Sequence, residues 1–147
     1  MALSFSWYLA AILAAWVVAQ GTKYVVAVVK NGDIRQLRHL YLSGNMPSAH
    51  SSSVVALLTM VGASEGVDSA LFAVMALFAG IVMYDAVMVR RSSGEQGEAI
   101  LEIIKKQESD IKPPRVARGH TPLEVVIGAL LGFVVALSIL LLAQTGF

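Results

Sequence analysis

Four apolar stretches separated by polar segments set the pattern of this chain; they lie at about 3–20, 48–62, 67–89 and 122–144. A helix of about 20 apolar residues crosses the hydrocarbon core of a bilayer. The pattern therefore predicts an all-α polytopic membrane protein, with four transmembrane helices in a single membrane-embedded domain. The second stretch is short for a span, so we expect it to be tilted, continued past Gly62, or sheltered by its neighbours.

Turn residues and changes of pattern predict where these helices end. Gly21 closes the first stretch, and the apolar run 24–29 beyond it is too short to span, so we expect that run to continue the helix or to lie in the interface. Residues 62–66 predict a turn. Residues 90–119 are a long polar loop, within which 98–106 has the periodicity of an amphipathic helix.

The composition agrees with a membrane class. Of the 147 residues, 56% are hydrophobic and 14% are charged, against about 25% charged in soluble domains. The chain contains no cysteine, which excludes disulfides, thiol catalysis and thiolate metal sites. The first 20 residues lack a basic n-region, so we expect a retained helix and not a cleaved signal peptide.

The basic residues are confined to two of the polar segments. All 11 Lys and Arg lie there: Lys23, Lys30, Arg35 and Arg38 before the second stretch, and Arg90, Arg91, Lys105, Lys106, Lys112, Arg115 and Arg118 before the fourth. With four spans, both segments share one side of the membrane, and the positive-inside rule makes that side cytoplasmic. We therefore expect a protein of the inner membrane with both termini facing outward.

Two histidines stand at the starts of apolar stretches on that same side. His50 precedes the second stretch and His120 precedes the fourth. Imidazole exchanges protons near neutral pH, and the N-terminus of a helix attracts anions. Beside the basic segments, the two histidines predict chemistry on a phosphate at the membrane surface.

Each of these histidines also has a structural alternative. Ser48 can cap a helix that carries His50 as a snorkelling polar residue, and Thr121 with Glu124 has the spacing of a capping box. His50 and His120 are potential metal ligands, but no third histidine or acidic cluster has suitable spacing. The basic segments can simply bind anionic lipid headgroups. Two histidine-bearing helix starts on one membrane face favour catalysis over coincidence.

Three segments carry a recognisable set of motifs: Asn45-Met46-Pro47-Ser48-Ala49-His50-Ser51, then Ile81-Val82-Met83-Tyr84-Asp85-Ala86 with Arg90-Arg91, and Gly119-His120-Thr121-Pro122-Leu123-Glu124-Val125. They resemble the divergent branch of the type 2 phosphatidic acid phosphatase family, related to acid phosphatases and vanadium haloperoxidases. The resemblance runs from about Gln20 to near the C-terminus. The main superfamily has the motifs K-x6-R-P, P-S-G-H and S-R-x5-H-x3-D.

The resemblance implies a role for each matching residue. His120 would be the nucleophile that attacks phosphorus, Glu124 would orient it, and His50 would be the general acid. Ala49 replaces the glycine of the second motif, and Glu124 replaces the aspartate of the third. Asp85 would orient an arginine or a histidine, or form only a helix-end ion pair. The candidate phosphate ligands are Ser48, Arg90, Arg91, Lys23, Arg35 and Arg38.

The basic residues of the first and third motifs are out of register in this chain. Lys23 is followed seven residues later by Lys30 and not by arginine, and no R-P follows. Pro114 stands where the third motif has its arginine. In the divergent branch, Arg90 and Arg91 look like the substitute for this phosphate clamp.

The function expected from these observations is metal-independent hydrolysis of a phosphomonoester or diphosphate on a membrane lipid, through a phosphohistidine. Phosphatidylglycerol phosphate, phosphatidic acid or an isoprenyl phosphate would suit a site that faces the cytoplasm. We expect no cofactor, no metal and no nucleic acid partner, and a homodimer is compatible with the sequence. The alternative is a non-catalytic protein that binds anionic lipids or scaffolds a partner. Transport is disfavoured because residues 125–143 contain no charge.

Overall fold

A computed structural model describes residues 3–32, 46–108, 110–114, 116 and 119–145. In chain order, its elements are α1 (Phe5–Asn31), α2 (Ala49–Glu65), α3 (Ala70–Tyr84), a π-helical turn (Asp85–Val89), α4 (Arg90–Lys106) and α5 (Pro122–Gln144). The described part of the chain contains no strand. The all-α prediction is therefore confirmed.

Three helices in the described ranges are long and apolar enough to cross a membrane: Phe5–Lys30, Ala70–Lys106 and Pro122–Gln144. The second predicted span, over 48–62, is not confirmed, because α2 has only 17 residues. It packs against α1, α3 and α5, which matches the expectation that neighbours shelter it. It also continues past Gly62 to Glu65, so the turn predicted at 62–66 begins only at the end of that segment.

The first helix is longer than predicted. It does not close at Gly21 but runs to Asn31, where Gly32 ends it with a positive φ of 68°. A single glycine inside a helix costs about 1 kcal/mol relative to alanine, and the helix continues through Gly21 into the apolar run 24–29. Lys23 and Lys30 therefore lie on α1 and not in a loop.

The third span also lacks its predicted end at residue 89. The chain stays helical from Ala70 to Lys106, over 37 residues, because no proline interrupts it. Within this helix, the π-helical turn accommodates one more residue than an α-helical turn does. The amphipathic helix predicted at 98–106 is present as part of α4. Arg90 and Arg91 consequently follow a π-helical turn inside a long helix, not a helix end.

Small residues let the helices approach closely at the centre. Gly128 and Gly132 of α5 face the backbone of α2, where an added Cβ would overlap the carbonyl oxygens of Ser48 and Ser52. Close backbone approach through small residues is typical of helix pairs in membranes. The hydroxyl of Ser52 donates to the Ala15 carbonyl of α1 at 3.2 Å. Together these contacts fix the starts of α2 and α5 side by side.

The outer surface of the bundle is apolar. Leu13, Leu77 and Leu130, on three different helices, are 60%, 67% and 60% exposed. Soluble monomers rarely expose continuous apolar surface of this kind, whereas lipid covers it in a bilayer. The buried core is small and is built mainly from alanines and Met60.

Candidate active site

The candidate site lies at one end of the bundle, where α2 and α5 begin beside the π-helical turn. The Ser48 N–H donates to the Glu124 carbonyl at 3.0 Å, and the His120 N–H donates to the Ala86 carbonyl at 2.9 Å. Gly119 lies against the backbone of Arg91, where any Cβ would overlap main-chain atoms. These contacts hold the segment before α5 against both other elements.

His120 is oriented by Glu124. Its Nδ1 lies 3.1 Å from Glu124 Oε2, and the same oxygen accepts from the Thr121 N–H at 3.0 Å. The Thr121 hydroxyl in turn accepts from the Glu124 N–H, which completes the predicted capping box. With Nδ1–H donating to the carboxylate, the tautomer leaves the Nε2 lone pair free. The capping box and the orientation of the histidine thus depend on one carboxylate.

The environment favours the neutral form of His120. The residue is only 4% exposed. Burial lowers the pKa of His120, the Glu124 carboxylate opposes this shift, and the positive charges of Lys23 and Arg90 add to it. A neutral imidazole with one free nitrogen is the form that can act as a nucleophile.

His50 is placed at the mouth of the site. It is an exposed residue in the first turn of α2. The charges of Arg90, Lys23 and Asp85, and that of a protonated His120, all act on its imidazole. The fold therefore brings the two predicted histidines into one electrostatic cluster, although they are 70 positions apart in the sequence.

Lys23 enters the same cluster from α1. Its side chain is 6% exposed, and its charge interacts with that of Glu124 and with both histidines. A buried ammonium group is costly unless negative charge compensates it. Glu124 supplies that negative charge for Lys23.

Asp85 and Arg90 form an ion pair across the π-helical turn. Arg90 Nε donates to Asp85 Oδ2 at 2.6 Å, and the pair is partly exposed. The sequence left open whether Asp85 orients an arginine or a histidine or forms only a helix-end ion pair. In the structure its partner is Arg90.

Two other predicted phosphate ligands within the described residues, Ser48 and Arg91, are engaged in other contacts. Ser48 is fully buried, and its hydroxyl caps α2 by accepting from the Ser51 N–H and hydroxyl. Arg91 pairs with Glu95 along α4 at 3.2 Å. Arg35 and Arg38 lie outside the described residues. The expectation of a site without metal remains a prediction; within the described ranges, no three His, Asp or Glu side chains are grouped so as to hold a metal ion.

An apolar groove leads away from His50, and the sequence did not predict it. It has a volume of about 230 Å³ and lies between α1 and α3 over the surface of α2. Trp16 of α1 lines it together with Phe78 of α3. No motif marks this groove, because its lining comes from three separate helices.

Comparison with known proteins identifies the class of this chain. The model of the family described as Divergent PAP2 matches residues 6–135. The uncharacterized membrane protein YuiD of Bacillus subtilis (strain 168) is 38% identical over 110 residues, which cover 65% of this chain and 70% of that protein. No solved structure matches.

Proposed function

The chain belongs to the Divergent PAP2 family, and on that premise we propose that it is a membrane lipid phosphatase that uses His120 as its nucleophile. The observation that supports this proposal most directly is the bond from His120 Nδ1 to Glu124 Oε2 at 3.1 Å. It orients a buried, neutral imidazole with Nε2 free, beside the buried ammonium of Lys23.

The cations of the cluster suit the charge that develops on a reacting phosphate. In phosphoryl transfer this charge spreads over the equatorial oxygens, and catalysis comes mainly from positioned positive groups. Lys23 would meet one oxygen from inside the bundle, and Arg90, held by Asp85, would meet another from the π-helical turn. The positive end of the α2 helix dipole adds to the positive field.

In the first step, the Nε2 lone pair of His120 attacks phosphorus and the bond to the lipid oxygen breaks. His50 donates a proton to that oxygen, so the lipid leaves as an alcohol and the phosphoryl group remains on His120. Glu124 stabilises the positive charge that appears on the His120 ring. In the second step, His50 accepts a proton from water, the water oxygen attacks phosphorus, the bond from phosphorus to His120 Nε2 breaks, and phosphate departs.

A lipid is the proposed substrate because the site opens at the end of an apolar bundle. The headgroup would reach the histidines while its hydrocarbon stays in the bilayer. The distribution of Lys and Arg favours a cytoplasmic opening. Phosphatidylglycerol phosphate, phosphatidic acid and isoprenyl phosphates are therefore the substrates to compare.

The test is phosphate release by the purified protein in lipid micelles, with chelator present. We expect release from at least one of these lipids and its loss in His120→Ala. Lys23→Met should lower kcat/KM by about 10²-fold, the effect typical of one lost transition-state contact. Lys30→Met, on the exposed last turn of the same helix, should leave kcat/KM unchanged.

Two results would contradict the hydrolase. One is a folded protein that binds anionic lipid but releases no phosphate, which would favour a lipid-binding or scaffold function. The other is release that survives in His120→Ala, which would remove this residue from the role of nucleophile.

A further inference from the structure

The apolar groove beside the site has a regular construction. Its floor is a single stripe of α2 that includes His50, Val54 and Leu57, at the spacing of one helix face. From residue 50 to residue 57 this stripe is about 10 Å long at 1.5 Å per residue. The groove therefore runs along the helix axis, away from the mouth of the site.

Two helices form the walls. Ile12 and Trp16 project from successive turns of α1, and Phe78 and Val82 project from successive turns of α3. Trp16 and Phe78 are 49% and 51% exposed, so the groove is open to the bilayer along its side. No residue of the lining except His50 can carry a charge.

The groove and the candidate site share one residue. His50 forms the end of the apolar floor, and the charges of Lys23 and Arg90 act on the same imidazole. A ligand that fills both places must be anionic at one end and hydrocarbon over the next 10 Å or so. This order of charge and apolar surface is that of a lipid phosphate.

We propose that the groove between α1 and α3 binds the first part of one hydrocarbon chain of a lipid phosphate, with its phosphate at His50, and that Leu57 limits how far that chain lies in the groove. The inference rests on the proposed function and adds a chain-binding subsite to it. Because a lipid chain in a bilayer is already surrounded by hydrocarbon, the hydrophobic effect contributes little to its binding in the groove. Its role is to hold the phosphoester bond in place beside the two histidines.

The experiment uses a long-chain alkyl phosphonate that carries a diazirine on its chain, about 10 Å from the headgroup, where the chain would lie beside Leu57. The P–C bond cannot be hydrolysed, so binding is measured independently of catalysis. The protein is placed in nanodiscs and irradiated, and the labelled residues are located by mass spectrometry. An alkyl alcohol with the same chain and diazirine, but without the phosphonate, reports how any bilayer chain labels the same surface.

We expect the phosphonate to label groove residues such as Leu57 and Phe78 roughly tenfold more than the alcohol does, because charge-assisted hydrogen bonds anchor it. Leu57→Trp should remove most of this excess. Leu130→Trp, a matched change at a lipid-facing position of α5, should retain it. Equal labelling by both probes, or no labelling of the groove, would overturn the inference.

The labelling result separates this inference from the proposed hydrolase. Specific labelling in a protein that releases no phosphate would support the chain subsite and contradict the enzyme. Phosphate release without specific labelling would support the enzyme and contradict the subsite.

Discussion

The carboxylate of Glu124 has two tasks at the start of α5. It closes the capping box with Thr121, and it accepts the hydrogen bond of His120 Nδ1. Both follow from local spacing, since residues three and four positions apart are neighbours at a helix start. The sequence could therefore predict this pair without any knowledge of the other helices.

Replacing Glu124 by glutamine should lower kcat and shift its pH dependence. His120 must be neutral to attack, and because burial lowers its pKa, the acidic limb of kcat/KM should lie below about pH 6.5, the ordinary histidine value. Glu124 raises the pKa of His120, so its loss moves the limb to still lower pH. Without a fixed tautomer, kcat should fall by about 10²-fold or more.

The check is the pH profile of kcat/KM for wild type and Glu124→Gln. Glu95→Gln, which removes the exposed carboxylate beside Arg91, is the matched control and should leave the profile unchanged. A limb that moves to higher pH in Glu124→Gln would contradict the assignment.

The rest of the cluster needed the tertiary structure. Lys23 lies in a sequence motif that is out of register, and nothing local shows that its side chain is buried. Its charge acts on the histidines because α1 continues past Gly21 and carries Lys23 into the bundle. Arg90, unlike Arg91, is held by Asp85, because a π-helical turn brings residues five positions apart onto one face.

At the scale of elements, the contact between α2 and α5 sets the separation of the two histidine-bearing starts. It depends on Gly128 and Gly132, whose missing side chains let two backbones touch. Small residues favour close packing of helices in membranes, and the structure identifies the partner helix as α2. Movement of α5 away from α2 would displace His120 relative to His50.

Gly132→Ala should therefore destabilise the protein. Its added Cβ would overlap the Ser52 carbonyl oxygen, which belongs to a backbone and cannot move aside. We expect the free energy of unfolding to fall by about 1–3 kcal/mol, the usual cost of overpacking. The measurement is an unfolding transition in detergent or bicelles.

Gly80→Ala is the control for that change. Nothing lies within 4 Å of a Cβ built at Gly80, and alanine is the better helix former by about 1 kcal/mol. Its stability should be unchanged or higher. Equal losses in the two variants would show that the α2–α5 contact is not tight at Gly132.

At the scale of the whole molecule, the site end of the bundle carries the basic residues. Lys23, Lys30, Arg90 and Arg91 all lie toward the end where α2 and α5 begin, and α3 begins at the opposite end, close to where α2 ends. The positive-inside rule therefore predicts that the histidines open toward the cytoplasm, which remains a prediction.

Cysteine labelling tests this orientation cleanly, because the chain has no cysteine of its own. Ser92→Cys, on the exposed first turns of α4, should react with a membrane-impermeant maleimide only after the cells are permeabilised. Asp68→Cys, in the exposed turn between α2 and α3, should react in intact cells. The reversed pattern would place the site outside and favour lipids of the outer leaflet.

The sequence by itself determined the membrane class, the family, the positions of both histidines and the capping box of α5. These follow from composition, motifs and contacts within four residues, which act without distant partners. Only the tertiary structure decided that α2 lies as a short helix among the three candidate membrane-spanning helices, that Lys23 is buried near the charge of Glu124, and that a groove begins at His50. Each of these depends on side chains from different helices. The helix packing that brings these side chains together cannot be predicted from a local sequence pattern.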